Sequence, residues 1–355
     1  MLQVKSNGVR RALCFRFSES AGPFVKSPPA TRIGKWPRHN RIDAEIQDEE
    51  LKLGLLTAAF PDLSLAEVAV WASSNGFEAL EIACWPASGA ERRRYAGVCH
   101  MDVDALDDAG ARKVLELMKG KGLTISSLAY YPNPLDPDPS HRAQAQAHLR
   151  KVIDAAQRLG VNLVGTFVGR DQNLPPQAAF ADALEQWPPL VKYAADRNVR
   201  IAIENCPMIF SNDEWPGGRN LAYSPAQWRR LFEAMPGDTL GLNLDPSHLV
   251  WQFIDIQRVV REFAGKIYHV HAKDLEIDRD GLYENGVMSL GMGWQVPRMP
   301  GLGEVPWNRF IAALIRGGYD GVVSVEHEDR AFEGNVELVK RGFLVARNTL
   351  RPLLV

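Results

Sequence analysis

Residues 199–205 read Val199-Arg-Ile-Ala-Ile-Glu204-Asn205, an apolar run that stops on a carboxylate. The same form returns in Gly241-Leu-Asn-Leu-Asp245, in Tyr268-His-Val-His271 and in Val322-Val-Ser-Val-Glu326. Runs that are continuously apolar, rather than alternating, mark parallel strands covered on both faces. Each of the four therefore predicts a buried strand whose last side chain is ionisable. Asp and Glu are seldom buried unless they are paired or bound to a metal.

The full set of strand candidates is Leu51–Thr57, Ala79–Cys84, Leu123–Tyr130, Asn162–Val168, Val199–Asn205, Leu240–Asp245, Lys266–His271 and Gly321–Glu326. Segments with helical spacing lie between them, such as Leu65-Val68-Ala69-Ala72 and Phe310-Ala313-Leu314. Helix C-cap signals mark several helix-to-strand joints: Asn75-Gly76, Gly120-Lys121-Gly122, Leu159-Gly160, Arg197-Asn198 and Gly317-Gly318. Eight β-then-α units predict an α/β chain folded as a single (β/α)8 barrel, a TIM barrel, spanning residues 49–355. No Gly-x-Gly-x-x-Gly follows the first strand, which removes the usual reason to prefer an open dinucleotide-binding sheet.

In such a barrel the carboxyl ends of all strands converge on one mouth, where active sites sit. Any one of the four terminal residues, taken singly, reads as a salt bridge or a solvated rim group. Together, three carboxylates at one mouth would repel one another unless a cation neutralised them. Glu204, Asp245, His271 and Glu326 are thus expected to hold one divalent metal. Mostly oxygen donors with one imidazole suit Mn²⁺ best, with Mg²⁺, Co²⁺ or Zn²⁺ also accommodated. The strand period of two puts His269 on the same face as His271 but one layer deeper. Glu328, beyond the apolar run, is expected to face solvent. Around the rim, Trp85 and Tyr130 can stack on an apolar face of a substrate, while Lys273, Asp274, Asn205 and Arg170 can bond its polar groups.

The motifs Ile-Glu204-Asn, Leu-Asp245-Pro-Ser-His248, His-Val-His271-Ala-Lys273-Asp274, Pro300-Gly-Leu-Gly-Glu304 and Val-Glu326-His resemble those of the xylose-isomerase-like TIM-barrel superfamily. That superfamily includes sugar epimerases and isomerases, inosose dehydratases and AP-endonuclease-like proteins. The resemblance covers about residues 51 to 350. It implies that Glu204, Asp245, His271 and Glu326 are the single-metal positions and that His248 touches substrate beside the metal. It also implies a metal-dependent isomerase or epimerase acting on a small sugar by proton abstraction α to a carbonyl, with Glu204 or Glu326 as base. A β-eliminating lyase on a keto-sugar, keto-glycoside or inosose shares that first step, and a non-catalytic sugar-binding subunit is a third reading. Two departures bear on the choice. Ketose 3-epimerases of the superfamily carry a glutamate and an arginine where this chain has Phe210 and Ile277. The endonuclease branch needs extra histidines at the ends of strands two and three, where this chain has Cys84-Trp85 and Tyr130-Tyr131.

Composition constrains the partners. Of the 355 residues, 41 are Lys or Arg and 43 are Asp or Glu, but the distribution is uneven. Residues 1–42 hold nine basic side chains and one acidic, Glu19, so the remainder carries 32 basic and 42 acidic ones. An acidic body is a poor surface for polyphosphate, so nucleic acid is not expected as a partner. No apolar run approaches the roughly 18 residues needed to cross a bilayer. The four cysteines, Cys14, Cys84, Cys99 and Cys206, are far apart and read as reduced thiols of a cytoplasmic protein, with homo-oligomers allowed.

Two segments stand outside the barrel pattern. Between His271 and Pro306 lies a loop of more than thirty residues with six glycines, expected to form a lid or substrate wall. Residues 1–48 are expected to be a disordered N-terminal extension: residues 1–42 lack periodicity and carry several glycines and prolines, including Pro28-Pro29. A chain beginning near Asp43 should therefore melt within a few degrees of the full chain in a calorimetric scan. A collapse in melting temperature would show that the segment packs on the barrel.

Overall fold

The computed structural model describes residues 51–87, 96–209, 217–287 and 293–354. The expected extension 1–48 and Phe210 lie outside the described residues. The chain runs β1 (Lys52–Leu56), α1 (Leu65–Ser74), β2 (Ala79–Ala83), α2 (Asp108–Gly120), β3 (Thr124–Ala129), α3 (Pro139–Leu159), β4 (Leu163–Thr166) and α4 (Pro176–Ala195). It continues with β5 (Arg200–Glu204), α5 (Pro225–Ala234), β6 (Leu240–Leu244), α6 (Ser247–Val250), α7 (Ile256–Phe263), β7 (Ile267–Ala272), β8 (Asp274–Ile277), α8 (Arg279–Asn285), β9 (Gln295–Arg298), α9 (Trp307–Arg316), β10 (Val322–Val325) and α10 (Val336–Leu350).

Eight parallel strands close in the order β1-β10-β7-β6-β5-β4-β3-β2. These are the eight expected strands, with ends shifted by one or two residues: seven are shortened, and β7 starts one residue later and runs on to Ala272. The apolar runs pack outward against the helices: Leu53, Leu55, Leu80, Ile82, Leu128, Ile201, Ile203 and Val323 are fully buried. All five joints marked as C-cap signals turn through left-handed backbone, at Gly76, Gly122, Gly160, Asn198 and Gly318. N-caps are equally explicit. Ser64 and Glu67 form a capping box on α1, and Asp107, Asp138, Asp255 and Asn335 cap α2, α3, α7 and α10. No helix among the described residues is long and apolar enough to cross a membrane.

The expected long loop after the seventh barrel strand is a correction in detail. It folds into an antiparallel β8–β9 hairpin carrying α8 between its strands. Trp251, Leu275, Ile277 and Trp294 form a small separate core beneath it. The alternation that builds the hairpin is short and interrupted by Pro297, so periodicity alone gave no strand there.

The inside of the barrel is not filled with aliphatic side chains alone. Glu81, Ser127, Asn243, His269, His271 and Ser324 are buried in or beside the strands. Room for them comes from small neighbours, most clearly Gly165 of β4. A Cβ there would collide with the Tyr131 hydroxyl and lie 3.2 Å from Glu81 Oε1. Gly165→Ala should therefore destabilise the fold by about 1–3 kcal/mol, the usual cost of overpacking a tight core. Equilibrium denaturation would measure it, and an unchanged midpoint would mean that Tyr131 moves aside freely.

Candidate metal and substrate site

Glu204 ends β5, Asp245 follows β6, His271 lies in β7 and Glu326 follows β10. Strand closure alone brings them to one mouth. His271 Nδ1 lies 3.3 Å from Glu326 Oε2 and 3.8 Å from Glu204 Oε1. Glu204, His271 and Glu326 each present a ligand atom, and these atoms lie within 4.8 Å of one another. Asp245 joins through His248, whose Nε2 is 3.2 Å from Asp245 Oδ2 and 3.6 Å from Glu204 Oε1.

The backbone around these groups is pinned. Asn205 accepts a hydrogen bond from the Asp245 amide at 2.7 Å and donates one to the Asp245 carbonyl at 2.9 Å. Asp245 Oδ1 accepts from the Ser247 amide, leaving Oδ2 turned to the mouth. Asn220 donates to the carbonyls of Glu204 and Cys206. The buried atoms that make no hydrogen bond among the described residues include Glu204 Oε1, His248 Nε2, His271 Nδ1 and Asp245 Oδ2, the last of which keeps an ion pair with Lys273. Buried polar atoms are normally satisfied, so a cluster of orphans facing one point is the signature of a missing ion or ligand.

Lys273 places an ammonium in the cluster. Its Nζ lies 2.8 Å from Glu326 Oε2 and 3.1 Å from both Asp245 Oδ2 and Glu328 Oε2, and only 3% of the side chain is exposed. Glu328 is thus not the solvent-facing residue expected, because the ammonium holds it at the mouth. Burial pulls the Lys273 pKa down, but the carboxylates of Asp245, Glu326 and Glu328 outweigh burial and hold it well above lysine's ordinary value. Burial raises Glu204, yet the nearby imidazoles of His248 and His271 and the Lys273 ammonium outweigh it and keep the carboxyl below its usual range. Four carboxylates meet one ammonium and two imidazoles in a largely buried site, an arrangement rich in acidic donors. A divalent cation held by Glu204, Asp245, His271 and Glu326 fits that donor set.

The remaining rim residues divide. Trp85 and Tyr130 meet edge to face with ring centroids 6.0 Å apart, and Trp85 lies 6.2 Å from Tyr131, whose ring is 5.6 Å from His271. They form an aromatic wall beside the cluster. Asp274 is buried, and its carboxylate accepts from the amides of Leu275, Gly301 and Val305 and from Trp307 Nε1. That pattern ties the β8–β9 segment to the start of α9. Asn205 likewise faces backbone. Arg170 is buried beside Gly217, and no hydrogen bond or ion pair joins its side chain to the cluster among the described residues. Sequence reading missed two groups, Glu81 and Tyr131, which lie directly under His271. A glutamate inside the run Ala79-Leu80-Glu81-Ile82-Ala83 was the available signal.

A (β/α)8 barrel with a cation-competent cluster at its C-terminal mouth is the class that fold and geometry define. Residues 69–349 match the family model of the xylose isomerase-like TIM barrel, and the chain belongs to that family. It is 28% identical over 316 residues to "Uncharacterized protein YfiH" of Bacillus subtilis (strain 168), covering 79% of this chain and 93% of that protein. Among solved structures it is similar to D-psicose 3-epimerase from Clostridium cellulolyticum H10, with a TM-score of 0.61 and 18% identity over 86% of this chain and 99% of that one. It is also similar to the probable 3-DHS dehydratase AsbF from Bacillus anthracis, with a TM-score of 0.62 and 17% identity over 85% and 99% of the two chains.

Glu204 is shared by the two candidate groups at the mouth, Glu204-His271-Glu326 and Glu204-Cys206-His248, so the protein should bind about one equivalent of divalent metal there. Asp245→Asn should lower that affinity and leave the fold intact. Elemental analysis after reconstitution, alongside a melting curve, reads both. Wild-type affinity in the variant would remove Asp245 from the ligand set.

Proposed function

We propose that this protein is a divalent-metal-dependent isomerase or epimerase that removes a proton α to the carbonyl of a small sugar. The observation that carries this reading is the set of buried ligand atoms gathered at the barrel mouth on Glu204, Asp245, His271 and Glu326. The activities of the similar structures, an epimerase and a probable dehydratase, support the same first step. When bound, the metal supplies Lewis-acid polarisation of the carbonyl and a template for a neighbouring hydroxyl. Mn²⁺ suits the oxygen-rich donor set best.

The chain's own groups divide the remaining work. Glu204 and Glu326 flank His271 from β5 and β10, and each has its pKa held below the ordinary carboxyl value. For Glu326 burial acts upward, while the Lys273 ammonium and then His271 outweigh it. Both are therefore ionised near neutral pH and able to accept a proton. A base on one side of the substrate and a proton donor on the other give an epimer, while return of the proton to the adjacent carbon gives an isomer. His248 and Lys273 are placed to bond substrate oxygens, and Trp85 and Tyr130 to cover an apolar sugar face. We assign residues 49–355 as the catalytic barrel and residues 1–48 as an extension. The free thiols of Cys84, Cys99 and Cys206 support a cytoplasmic setting.

One observation favours a second reading, β-elimination from a keto-sugar, keto-glycoside or inosose. Ile277, standing where ketose 3-epimerases of the family carry arginine, is buried in the apolar core of the β8–β9 hairpin. Lys273 offers an ammonium at the mouth, suited to protonating a departing oxygen.

Exchange of the substrate α hydrogen in D₂O tests the shared step. In Glu204→Gln or Glu326→Gln, exchange per bound metal should fall by about 10²–10⁴-fold, the typical worth of a general base. Unchanged exchange in both variants would place the base elsewhere. Release of a β substituent during exchange would decide for the lyase.

A further inference from the structure

Under the metal cluster lies a second polar layer, largely buried and joined by its own hydrogen bonds. Glu81 of β2 is at its centre and is fully buried. Its Oε1 accepts from the Tyr131 hydroxyl at 2.6 Å, and its Oε2 from the Ser324 hydroxyl at 3.0 Å. His271 Nε2 lies 2.9 Å from the same Oε2. Asn243 donates to the Tyr131 hydroxyl at 2.8 Å, which leaves the Asn243 carbonyl oxygen 3.1 Å from His269 Nδ1. His269 Nε2 closes the chain at 3.1 Å from the Ser126 hydroxyl.

The directions of these bonds follow from chemistry. An ionised carboxylate only accepts, so the His271 Nε2 facing Glu81 must carry the hydrogen. Nδ1 is then the nitrogen left to face a cation, and it is the atom without a hydrogen bond that faces Glu204 and Glu326. In the same way Asn243 Oδ1 takes the hydrogen of His269 Nδ1, and His269 Nε2 accepts from Ser126. Glu81, His269 and His271 are close enough to hold an ion among themselves. That alternative is disfavoured because both nitrogens of His269 and both oxygens of Glu81 already have protein partners.

The geometry points to Glu81 as a positioning residue for the metal: it fixes the tautomer and ring orientation of His271 so that Nδ1 is presented as a ligand. This assignment rests on the metal reading of the mouth. Carboxylates behind metal-bound imidazoles raise ligand basicity and hold the ring, and losing one costs about 10–100-fold in metal affinity. Glu81 touches no ion itself, and its whole effect must pass through His271.

Co²⁺ titration followed by visible absorption, with isothermal calorimetry for Mn²⁺, tests the assignment on four proteins: wild type, Glu81→Gln, His271→Gln and the double variant. Glu81→Gln should weaken both metals by about 10–100-fold and alter the Co²⁺ spectrum. In the His271→Gln background the same change should alter affinity by less than about twofold, because the coupling is lost. A residue that merely fills the barrel would lower the melting temperature of the apoprotein and leave affinity and spectrum unmoved. Affinity within about threefold of wild type, or an equal loss in both backgrounds, would overturn the proposal. Should Glu81→Gln not fold, Tyr131→Phe and Ser324→Ala each remove one partner from Glu81. Weakened binding in both then supports the assignment, and wild-type binding in both overturns it. Absence of metal binding by the wild type would defeat the metal reading itself, a result distinct from unchanged binding by the variants.

Discussion

Like charges forced together at the closed end of a barrel are the constraint on which the rest of this structure depends. β5, β6, β7 and β10 are parallel and sequentially paired, so their carboxyl ends meet whatever side chains they carry. Placing Glu204, Asp245 and Glu326 there confines negative charge in a space with little water. Repulsion at such distances in a low-dielectric setting is large compared with the marginal stability of a domain. Lys273 compensates part of it, and a divalent ion fits what remains. The ammonium also ion-pairs with Glu328 at 3.1 Å.

The same constraint acts one layer deeper, with a different solution. Glu81 is as buried as the mouth carboxylates, yet every one of its contacts is a hydrogen-bond donor within the barrel. Burial acts to raise its pKa, but the neighbouring His271 and His269 with the Tyr131 bond outweigh it and bring the carboxyl down to about 2. His269, with burial dominant, falls to about 4 and is neutral. The lower layer is thus a hydrogen-bonded network, and the upper layer is an open one. The contrast between them locates the chemistry better than any single residue does.

The hairpin after β7 links this centre to the outer wall. Asp274, one residue beyond Lys273, gathers three backbone amides and the Trp307 indole, so the turn from β7 into β8 is held rigidly to the start of α9. Lys273 is therefore anchored from both sides, by the strand before it and the aspartate after it. An ammonium delivered by a floppy loop would lose much of its electrostatic worth to solvation and side-chain entropy.

Much of this was legible in the residues alone. Continuous apolar runs ending on Glu204, Asp245, His271 and Glu326 are local patterns. Parallel strands convert them directly into positions at one mouth, because strand direction decides which end faces which rim. The five C-cap joints are local as well, since left-handed backbone selects Gly or Asn wherever it occurs. Tertiary structure decided what depends on partners distant in sequence. Asp274 and Asn205 resemble substrate-binding residues in sequence, yet they hold backbone. Glu328 resembles a surface acid and is drawn in by Lys273. Glu81 and His271 are 190 residues apart, and only barrel closure brings one oxygen within 2.9 Å of one nitrogen. Periodicity reports which face of a strand a side chain is on; which atom it meets there is settled by the strands that close around it.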